Sequence, residues 1–463
     1  MNPYLDIDRA MLGDIYTSTE PLDNLTVLCD DFGSRTPGTP QERSAAEFMR
    51  DRLASYGLDA RLEPFEYRAW ERDEVSISVK APFEADIPGI SLPYCPPCDL
   101  TAPLVLLPDG APATFEANAD RIKGAVVAVS SAPPAGLGRT VHRTEMYQRS
   151  ALAGAVGFIF IGMYEGRGVE TGSLDSDREA LIPGFSVGHE DAEFLRRQEG
   201  RKGALTITMR TGGRTFDTTS WNVVADMPGE TEEFVLLGCH YDGHDIAQGA
   251  MDPASGTVAA IEAARVLKAH AGPMRCGLRV ILWGSEEIGL TGAHRDVTQN
   301  GDLLTRMRFL LNCDAAGGHG EKGVILNQWP GLEPLFDEWS EQMGDLPYGQ
   351  SAHAFSDHYP YLVEGLCTSY IGNPRGKFTG RGWGHTRYDT LDKIDIRNLH
   401  SASALAARVT LRAANAETWP VATRPRADVE AMMDDEPDLR DMRVVKREYA
   451  ELYTARGKSP VTG

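Results

Sequence analysis

The sequence predicts an α/β fold in which a mostly parallel central sheet is flanked by helices. After Trp221, apolar strand-like runs such as FVLLGCH, LRVILWG and MRFLLNCD alternate with stretches of helical spacing. Strands that alternate with helices are typical of βαβ units and a parallel sheet. Between about Val75 and Trp221, short β-like runs are broken by Pro and Gly, which indicates a β-rich module inserted into this fold.

Each part of the chain is assigned from its own pattern. Residues 1–74 have helical periodicity on both sides of the turn-rich segment GSRTPGTP and form the N-terminal part of the main domain. Residues 75–218 form the β-rich insertion, and residues 219–425 form the main part of the domain, which includes the candidate site. Residues 426–463 are dense in mixed charge, and their apolar residues fall at helical spacing: Leu439, Met442, Val445, Tyr449 and Leu452. We expect a terminal helix packed on its own subunit, with a role in subunit contact as the alternative.

Length and charge exclude several classes of protein. The 463 residues correspond to about three domains, or to one large domain with an insertion. A net charge of −21 repels phosphate backbones, so nucleic acid is not an expected partner. The longest mostly apolar stretch, residues 151–163, is shorter than the roughly 20 residues that span a membrane. The first residues contain no basic segment followed by an apolar run, so we expect no secretory signal and a cytoplasmic location.

The cysteines indicate reduced thiols, because the seven are odd in number and scattered. Only Cys95 and Cys98, in the sequence CPPC, have the spacing of a metal clip. A zinc clip needs a second ligand pair nearby, and none follows. We expect structural thiols here, with a reversible disulfide as the alternative.

Two histidines and three acidic residues lie at strand ends or beside glycine-rich turns: His240, Asp252, Glu287, Asp314 and His385. The carboxyl ends of the strands in an open α/β sheet face one crevice, so residues distant in sequence can converge there. Imidazole and carboxylate donors without a thiolate suit a catalytic zinc site, with cobalt or manganese as substitutes. Five donors exceed the needs of one tetrahedral site, whereas two metals that share one carboxylate use them all.

Six blocks, in this order, resemble the zinc aminopeptidase family called metallopeptidase family 28: GCHYDGH, MDPASGTVAAIEAARVL, WGSEEIGLTGA, NCDAAG, SDHYPYLVEG and GHTRYDTLDKID. The segments FGSRTPGTP and WNVVADMPG are similar to the same family. RIKGAVVAVSS and YQRSALAGAVGFIFIG resemble a protease-associated (PA) domain. The resemblance implies a zinc exopeptidase-like fold with an inserted PA-like domain.

The resemblance also implies which metal each ligand binds. His240 and Asp314 would bind one zinc ion, and Glu287 and His385 the other. Asp252 would bridge the two ions. The family usually places Asp, Asn or Gly after this bridging residue, whereas this chain has proline. The resemblance implies a peptide bond that tends to be cis at this point, and an X-Pro bond adopts the cis form at a cost of only about 0.5 to 1 kcal/mol, so we predict a cis peptide bond after Asp252.

Three acidic residues are expected to assist the metals. Glu286 would be the general base, taking a proton from a water between the two cations and delivering it to the leaving amine. Asp242, two residues after His240, would orient that imidazole. Asp389 would serve His385 in the same way.

The substrate terminus is left open by the sequence. The segment around the last ligand contains Arg375, Lys377, Arg381 and Arg387 without an acidic residue. Our hypothesis is that Arg375 or Arg381 binds a substrate carboxylate, and the alternative is a solvated loop. Trp383 and Tyr388 flank the same ligand and either line an apolar pocket or pack the loop.

These observations favour a dinuclear zinc hydrolase of amide or peptide bonds in small substrates, acting as an aminopeptidase or dipeptidase through a metal-bridging water. The first alternative is a carboxypeptidase, or a hydrolase of N-acyl amino acids or other non-peptide amides, on the same scaffold. The second is a catalytically silent, receptor-like homologue. The expected partner is a small peptide or amide, and association into a homo-oligomer stays open.

Overall fold

The computed structural model describes residues 2–376 and 382–458. The chain divides into two compact units. Unit 1 comprises Met1–Glu66, Thr219–Gly384 and Asp389–Met432. Unit 2 comprises Tyr67–Thr218, His385–Tyr388 and Met433–Gly463.

The strands of the described residues are, in chain order, β1 (Asp59–Glu71), β2 (Val75–Ala81), β3 (Ala85–Asp86), β4 (Gly89–Ser91), β5 (Cys98–Leu107), β6 (Val126–Ser130), β7 (Gly157–Ile161), β8 (Gly184–Val187), β9 (Thr206–Thr211), β10 (Arg214–Met227), β11 (Phe234–His240), β12 (Gly277–Trp283), β13 (Met307–Asn312), β14 (Gly323–Leu326), β15 (Tyr348–Gln350) and β16 (Thr368–Gly372).

The α-helices of the same residues are α1 (Leu5–Thr17), α2 (Glu20–Thr26), α3 (Pro40–Ser55), α4 (Pro112–Ala117), α5 (Ala119–Ile122), α6 (Arg143–Leu152), α7 (His189–Lys202), α8 (Gly256–His270), α9 (Thr291–Gln299), α10 (Gly301–Leu304), α11 (Glu333–Met343), α12 (His358–Val363), α13 (Ile396–Asn415), α14 (Arg426–Asp435) and α15 (Pro437–Ala455). Short π-helical turns occupy Val27–Asp31 and Ala250–Ser255, and 3₁₀ turns occupy Pro330–Leu332 and Leu391–Lys393.

The sheet of unit 1 has the strand order β1-β10-β12-β11-β13-β16-β14-β15. Its centre is parallel: β11 runs parallel to β12 and β13, and β13 runs parallel to β16. The strands β10 and β14 are antiparallel to β12 and β16, respectively. The predicted fold class, an α/β fold with a mostly parallel central sheet, is therefore confirmed.

The central strands of unit 1 are apolar throughout because both faces of the sheet are covered. Every residue of β11, β12 and β13 is buried. Leu237 belongs to the core that includes α8 and α13, whereas its neighbour Leu236 belongs to a second core with residues of α9 and α12. This two-sided burial explains the continuous apolar runs in the sequence.

Unit 2 contains a mixed eight-stranded sheet of order β3-β2-β9-β5-β6-β7-β8-β4. The strands β5, β6, β7 and β8 run parallel to one another. The pairs β2–β9, β5–β9 and β4–β8 are antiparallel. The helices α4 to α7 connect these strands, so the module is less purely β than its sequence indicates. Its likeness to a PA domain stays a prediction.

The expected C-terminal helix is present as α15, and it packs on α6 of the same unit. The rings of Tyr147 and Tyr449 meet edge to face at 5.8 Å, and their hydroxyl groups lie 3.3 Å apart. Arg139 joins the two helices, since it donates to Glu145 on α6 and to Asp441 on α15. Of the predicted apolar stripe, Leu439, Val445 and Tyr449 are buried, and Met442 and Leu452 are partly buried. This helix therefore packs on its own chain.

Two further expectations concern the thiols and the membrane. All seven cysteines are free, and burial raises the pKa of Cys98 to about 11. The Cys95 sulfur accepts a hydrogen bond from the backbone N–H of Gly184 at 3.4 Å, which fits a structural thiol. Among the described residues, every helix is too short or too polar to cross a bilayer.

Candidate metal centre

Four of the five predicted ligands lie at the carboxyl edge of the unit 1 sheet. His240 ends β11, and Glu287 and Asp314 follow β12 and β13. Asp252 lies in the π-helical turn that precedes α8, and the peptide bond to Pro253 is cis, as predicted. Because β11 lies between β12 and β13, these three strands deliver their end residues to one place.

The donor atoms of these residues converge within coordination range. The Nε2 atom of His240 lies 3.3 Å from a carboxylate oxygen of Asp252 and 3.3 Å from one of Asp314. One set of three donor atoms within 4.8 Å of one another comes from His240, Asp252 and Glu287. A second set comes from His240, Glu286 and Asp314. The arrangement suits divalent cations that take nitrogen and oxygen donors.

His385, the fifth predicted ligand, belongs to unit 2. It has a left-handed backbone conformation, with φ of 63°. Its Nδ1 atom lies 3.1 Å from the carbonyl oxygen of Thr171, and its own carbonyl accepts the backbone N–H of Thr171 at 2.8 Å. A carbonyl at Nδ1 leaves Nε2 as the coordinating nitrogen. Its role as a ligand stays a prediction.

Asp242 lies beside His240 and has further partners that the sequence did not indicate. Its two carboxylate oxygens accept the backbone N–H groups of Glu286 and Glu287 at 2.9 Å and 3.2 Å. The Nδ1 atom of His240 lies 3.1 Å from the main-chain oxygen of Asp242 and 3.7 Å from its carboxylate. The main chain and the carboxylate of Asp242 both lie beside the imidazole, and the carboxylate also holds the backbone of the two glutamates. Its role in orienting His240 stays a prediction.

Asp389, expected to support His385, is engaged elsewhere. Its oxygens accept the backbone N–H groups of Met251 at 2.7 Å and of Asp252 at 3.1 Å. Burial raises the pKa of Asp389 to about 6, and these two hydrogen bonds oppose the rise. The residue therefore fixes the turn that carries Asp252.

Arg35 organises the loops of the site and was not identified from the sequence. Its guanidinium is fully buried and donates to the carbonyl groups of Tyr241 at 2.7 Å, Gln248 at 2.9 Å and Gly249 at 3.0 Å. It also donates to Leu28 at 2.8 Å. The sequence feature that could have identified Arg35 is its position in the family-like segment FGSRTPGTP. That segment thus joins the loop after β11 to the turn before Asp252.

Three more polar residues support the ligands. The hydroxyl of Ser356 donates to Asp314 at 2.7 Å and accepts from the amide of Asn312 at 2.6 Å. The Nε2 atom of His244 lies 2.8 Å from a carboxylate oxygen of Glu287. All three lie inside the family-like blocks, but none matched a ligand position.

Acidic groups dominate the electrostatics of the centre. Removal from water raises the pKa of Glu286 well above its ordinary value, the charge of His240 opposes this rise, and the charge of Glu287 adds to it. Burial opposes the ionisation of Asp314, but the hydrogen bond and charge of His240 outweigh it and lower this pKa to about 2. Burial raises the pKa of Asp357 well above its ordinary value.

Asp357 is a buried carboxylate in mostly acidic surroundings. Its side chain is fully buried, and neither carboxylate oxygen accepts a hydrogen bond from the residues that the structure describes. The acidic neighbours that raise its pKa include Asp242, Asp314 and Glu287. Buried carboxylates are normally paired, hydrogen-bonded or bound to metal. The donor set and this orphaned group both fit a centre that holds cations.

The predicted substrate-binding residues lie in varied surroundings. The exposed guanidinium of Arg375 forms ion pairs with Asp345 at 2.5 Å and with Glu321 at 3.3 Å. Arg381 and Lys377 lie outside the described residues. The ammonium group of Lys393 lies 5.3 Å from the ring centre of Trp383.

In unit 2, Tyr388 is 39% exposed, and the guanidinium of Arg387 lies 5.6 Å from its ring centre. A role of Arg375, Arg381, Trp383 or Tyr388 in substrate binding stays a prediction.

The mostly parallel sheet and the imidazole and carboxylate donors at its carboxyl edge define an α/β protein with a candidate metal centre. The family model described as Peptidase family M28 matches residues 222–410, which include His240, Glu286 and Asp314. The resemblance recognised in the sequence is therefore confirmed over residues 222–410.

Two curated relatives carry different activity names. Carboxypeptidase Q of Homo sapiens is 29% identical over 304 residues, which cover 63% of this chain and 64% of that protein. The match therefore spans slightly less than two thirds of carboxypeptidase Q. Aminopeptidase YwaD of Bacillus subtilis is 26% identical over 411 residues, which cover 86% of this chain and 85% of that protein.

Solved structures of similar proteins show the same fold. A peptidase M28 precursor from Shewanella amazonensis has a TM-score of 0.77 at 21% identity and covers 91% of this chain and 98% of its own. BSAP, a zinc aminopeptidase from Bacillus subtilis, has a TM-score of 0.66 at 24% identity and covers 87% of this chain and 97% of its own. At these identities the likeness extends to the fold alone.

Proposed function

We propose that this protein is a zinc-dependent exopeptidase that hydrolyses amide or peptide bonds in small substrates with two metal ions. The observation that supports it best is the convergence of His240, Asp252, Glu287 and Asp314 at the edge of the sheet. The match of residues 222–410 to a peptidase family and the zinc named for BSAP support the same chemistry.

The donor set supports two cations better than one. We assign His240 and Asp314 to one ion, Glu287 and His385 to the other, and Asp252 to both. The assignment of His385 rests on the resemblance of GHTRYDTLDKID to the family. The buried carboxylate of Asp357, which accepts no hydrogen bond from the described part of the chain, is a further sign that more than one positive charge is needed here.

When bound, the cations supply a Lewis acid that acidifies water and polarises the amide carbonyl. Glu286 takes the proton of the attacking water and transfers it to the leaving amine nitrogen. Burial raises the pKa of Glu286, which favours uptake of a proton by its carboxylate. The hydrogen bond from its backbone to Asp242 holds the base beside the ligand Glu287.

We favour an aminopeptidase or a dipeptidase. The relative with the wider coverage, YwaD, is named an aminopeptidase, as is BSAP. In addition, Arg375, one of the two candidates for a carboxylate-binding residue, is already engaged with Asp345 and Glu321.

The second candidate is a carboxypeptidase or a hydrolase of N-acyl amino acids, which the name of carboxypeptidase Q favours. A catalytically silent homologue is the least favoured function. The predicted ligands and the base Glu286 are all present in the chain.

The test is a paired substrate panel with measured metal content. Dipeptides, aminoacyl amides with a free amino group and N-acyl amino acids are incubated with the zinc-loaded protein. Cleavage of dipeptides and aminoacyl amides, together with two zinc ions per chain, would support the proposal. Cleavage confined to N-acyl amino acids would replace it with the second candidate. Absence of turnover on the whole panel in a protein that binds two ions would favour the silent homologue.

A further inference from the structure

We propose that His244 is a positioning residue that holds the carboxylate of Glu287 and thereby sets the affinity of the metal position to which Glu287 belongs. The inference rests on the proposed two-metal function and extends it to a residue outside the ligand set. It predicts that the two zinc ions respond differently to the loss of one imidazole.

The contact between the two side chains is short and buried. The Nε2 atom of His244 lies 2.8 Å from an oxygen of Glu287, and the two residues are 6% and 7% exposed. This is the length of a charge-assisted hydrogen bond, in which the imidazole N–H donates to the carboxylate. Two donor atoms on one tetrahedral zinc lie farther apart, at about 3.3 Å, because each is about 2.0 to 2.1 Å from the metal. The distance therefore favours an imidazole that orients the ligand over one that binds the metal.

Both partners are presented by fixed backbone. The loop that carries His244 is held by Arg35, which donates to Tyr241 before it and to Gln248 after it. The backbone N–H of Glu287 donates to Asp242 at 3.2 Å. Glu287 is thus held by hydrogen bonds at its main chain and at its side chain, and these contacts favour one rotamer of its carboxylate in the metal-free protein.

A fixed carboxylate binds metal more tightly than a mobile one, since less conformational freedom is lost on binding. Removal of a partner that orients a ligand typically costs about 10- to 100-fold in metal affinity. His240 and Asp314 have their own supports in the main chain of Asp242 and the hydroxyl of Ser356. The loss of His244 is therefore expected to weaken one zinc position and to spare the other.

The experiment compares the wild type with His244→Ala, His244→Gln and the control His189→Ala, a substitution in α7 of unit 2. Zinc is titrated into each metal-free protein against a chromophoric chelator, and two binding constants are fitted. We expect His244→Ala to weaken one constant by about 10- to 100-fold. His244→Gln, whose amide N–H can reach Glu287, should recover most of this affinity, and the control should match the wild type.

The possible results separate this inference from the function on which it rests. Two unchanged constants in His244→Ala would overturn the inference alone. Equal loss at both positions, or no recovery in His244→Gln, would also overturn it, because either result indicates general damage or direct coordination. A wild-type protein that binds fewer than two zinc ions would overturn the two-metal proposal as well. Thermal unfolding of each metal-free variant shows whether it is folded before the titration.

Discussion

The carboxylate of Asp242 accepts the backbone N–H of Glu286 at 2.9 Å, and its second oxygen accepts the next N–H along the chain. Asp242, two positions after the predicted ligand His240 of β11, thus fixes the backbone of the proposed base Glu286, which follows the neighbouring strand β12. The backbone positions of Glu286 and Glu287 are fixed relative to each other because both backbone N–H groups donate to the carboxylate of Asp242.

Asp242→Asn is expected to lower activity by about 10- to 100-fold. The asparagine amide has one oxygen acceptor, and its NH₂ group faces an N–H donor, so one of the two hydrogen bonds is lost. Steady-state kinetics and zinc content measure the effect. The control is Asp217→Asn at an exposed position. Wild-type kcat in Asp242→Asn would show that the paired hydrogen bonds do not position the base.

Glu286→Gln is expected to keep both metals and to lose about 10² to 10⁴ in kcat, which is the usual contribution of a general base. Glutamine preserves the shape of the side chain but cannot take a proton. Metal analysis and kcat are measured on the same samples, with the exposed Glu232→Gln as the control. Near-normal turnover would reject Glu286 as the base, and loss of zinc would instead indicate that it is a ligand.

Arg35→Met is expected to lower the free energy of unfolding by about 3 kcal/mol or more, because several buried carbonyl groups lose their donor and each costs about 1 to 3 kcal/mol. Chemical denaturation of the metal-free protein measures this change. Arg397→Met, in which an exposed ion pair is removed, serves as the control and should have little effect. A similar stability of both variants would mean that water replaces the guanidinium.

Glu42 is expected to make stability depend on pH. Burial raises its pKa from 4.5 to about 8, while the hydroxyl of Ser220 and the backbone of Gly38 oppose the rise. The folded state therefore binds one more proton than the unfolded state between these values, and this contribution to stability is lost as the pH rises through about 8.

Glu42→Gln removes the titrating group but keeps its shape. From about pH 5 to about pH 8, the free energy of unfolding of the wild type should fall relative to that of the variant. Denaturation at several pH values checks this difference, and parallel pH profiles would contradict the buried, protonated form of Glu42.

The candidate metal ligands were predictable where residue type and strand pattern are enough to identify them. His240 and Asp314 follow apolar strands that are buried on both faces, so the strand pattern alone places them at one edge of the sheet. The resemblance then distinguished Glu286 from Glu287, a distinction that periodicity does not make. The cis bond after Asp252 followed from the resemblance together with the proline that succeeds it.

The hydrogen-bond partners of the residues around the ligands were not predictable from local sequence. Asp242 was expected to orient His240, and Asp389 was expected to orient His385, because each lies close to that histidine in sequence. In the fold, their carboxylates accept backbone N–H groups from other loops. Closeness along the chain is a weak guide to hydrogen-bond partners, since backbone donors are present at every position and only folding decides which of them is near.

The sequence by itself determined the alternation of strands and helices in the main domain and the set of candidate metal ligands, because apolar periodicity and residue chemistry are local properties. Only the tertiary structure decided that Arg35 joins two loops more than 200 residues away along the chain, that His244 meets Glu287, and that the C-terminal helix packs on α6. Those contacts depend on where loops meet after the sheet has formed. The contacts of Arg35, for example, are made to backbone carbonyl groups, which every residue has and which carry no sequence signal of their own.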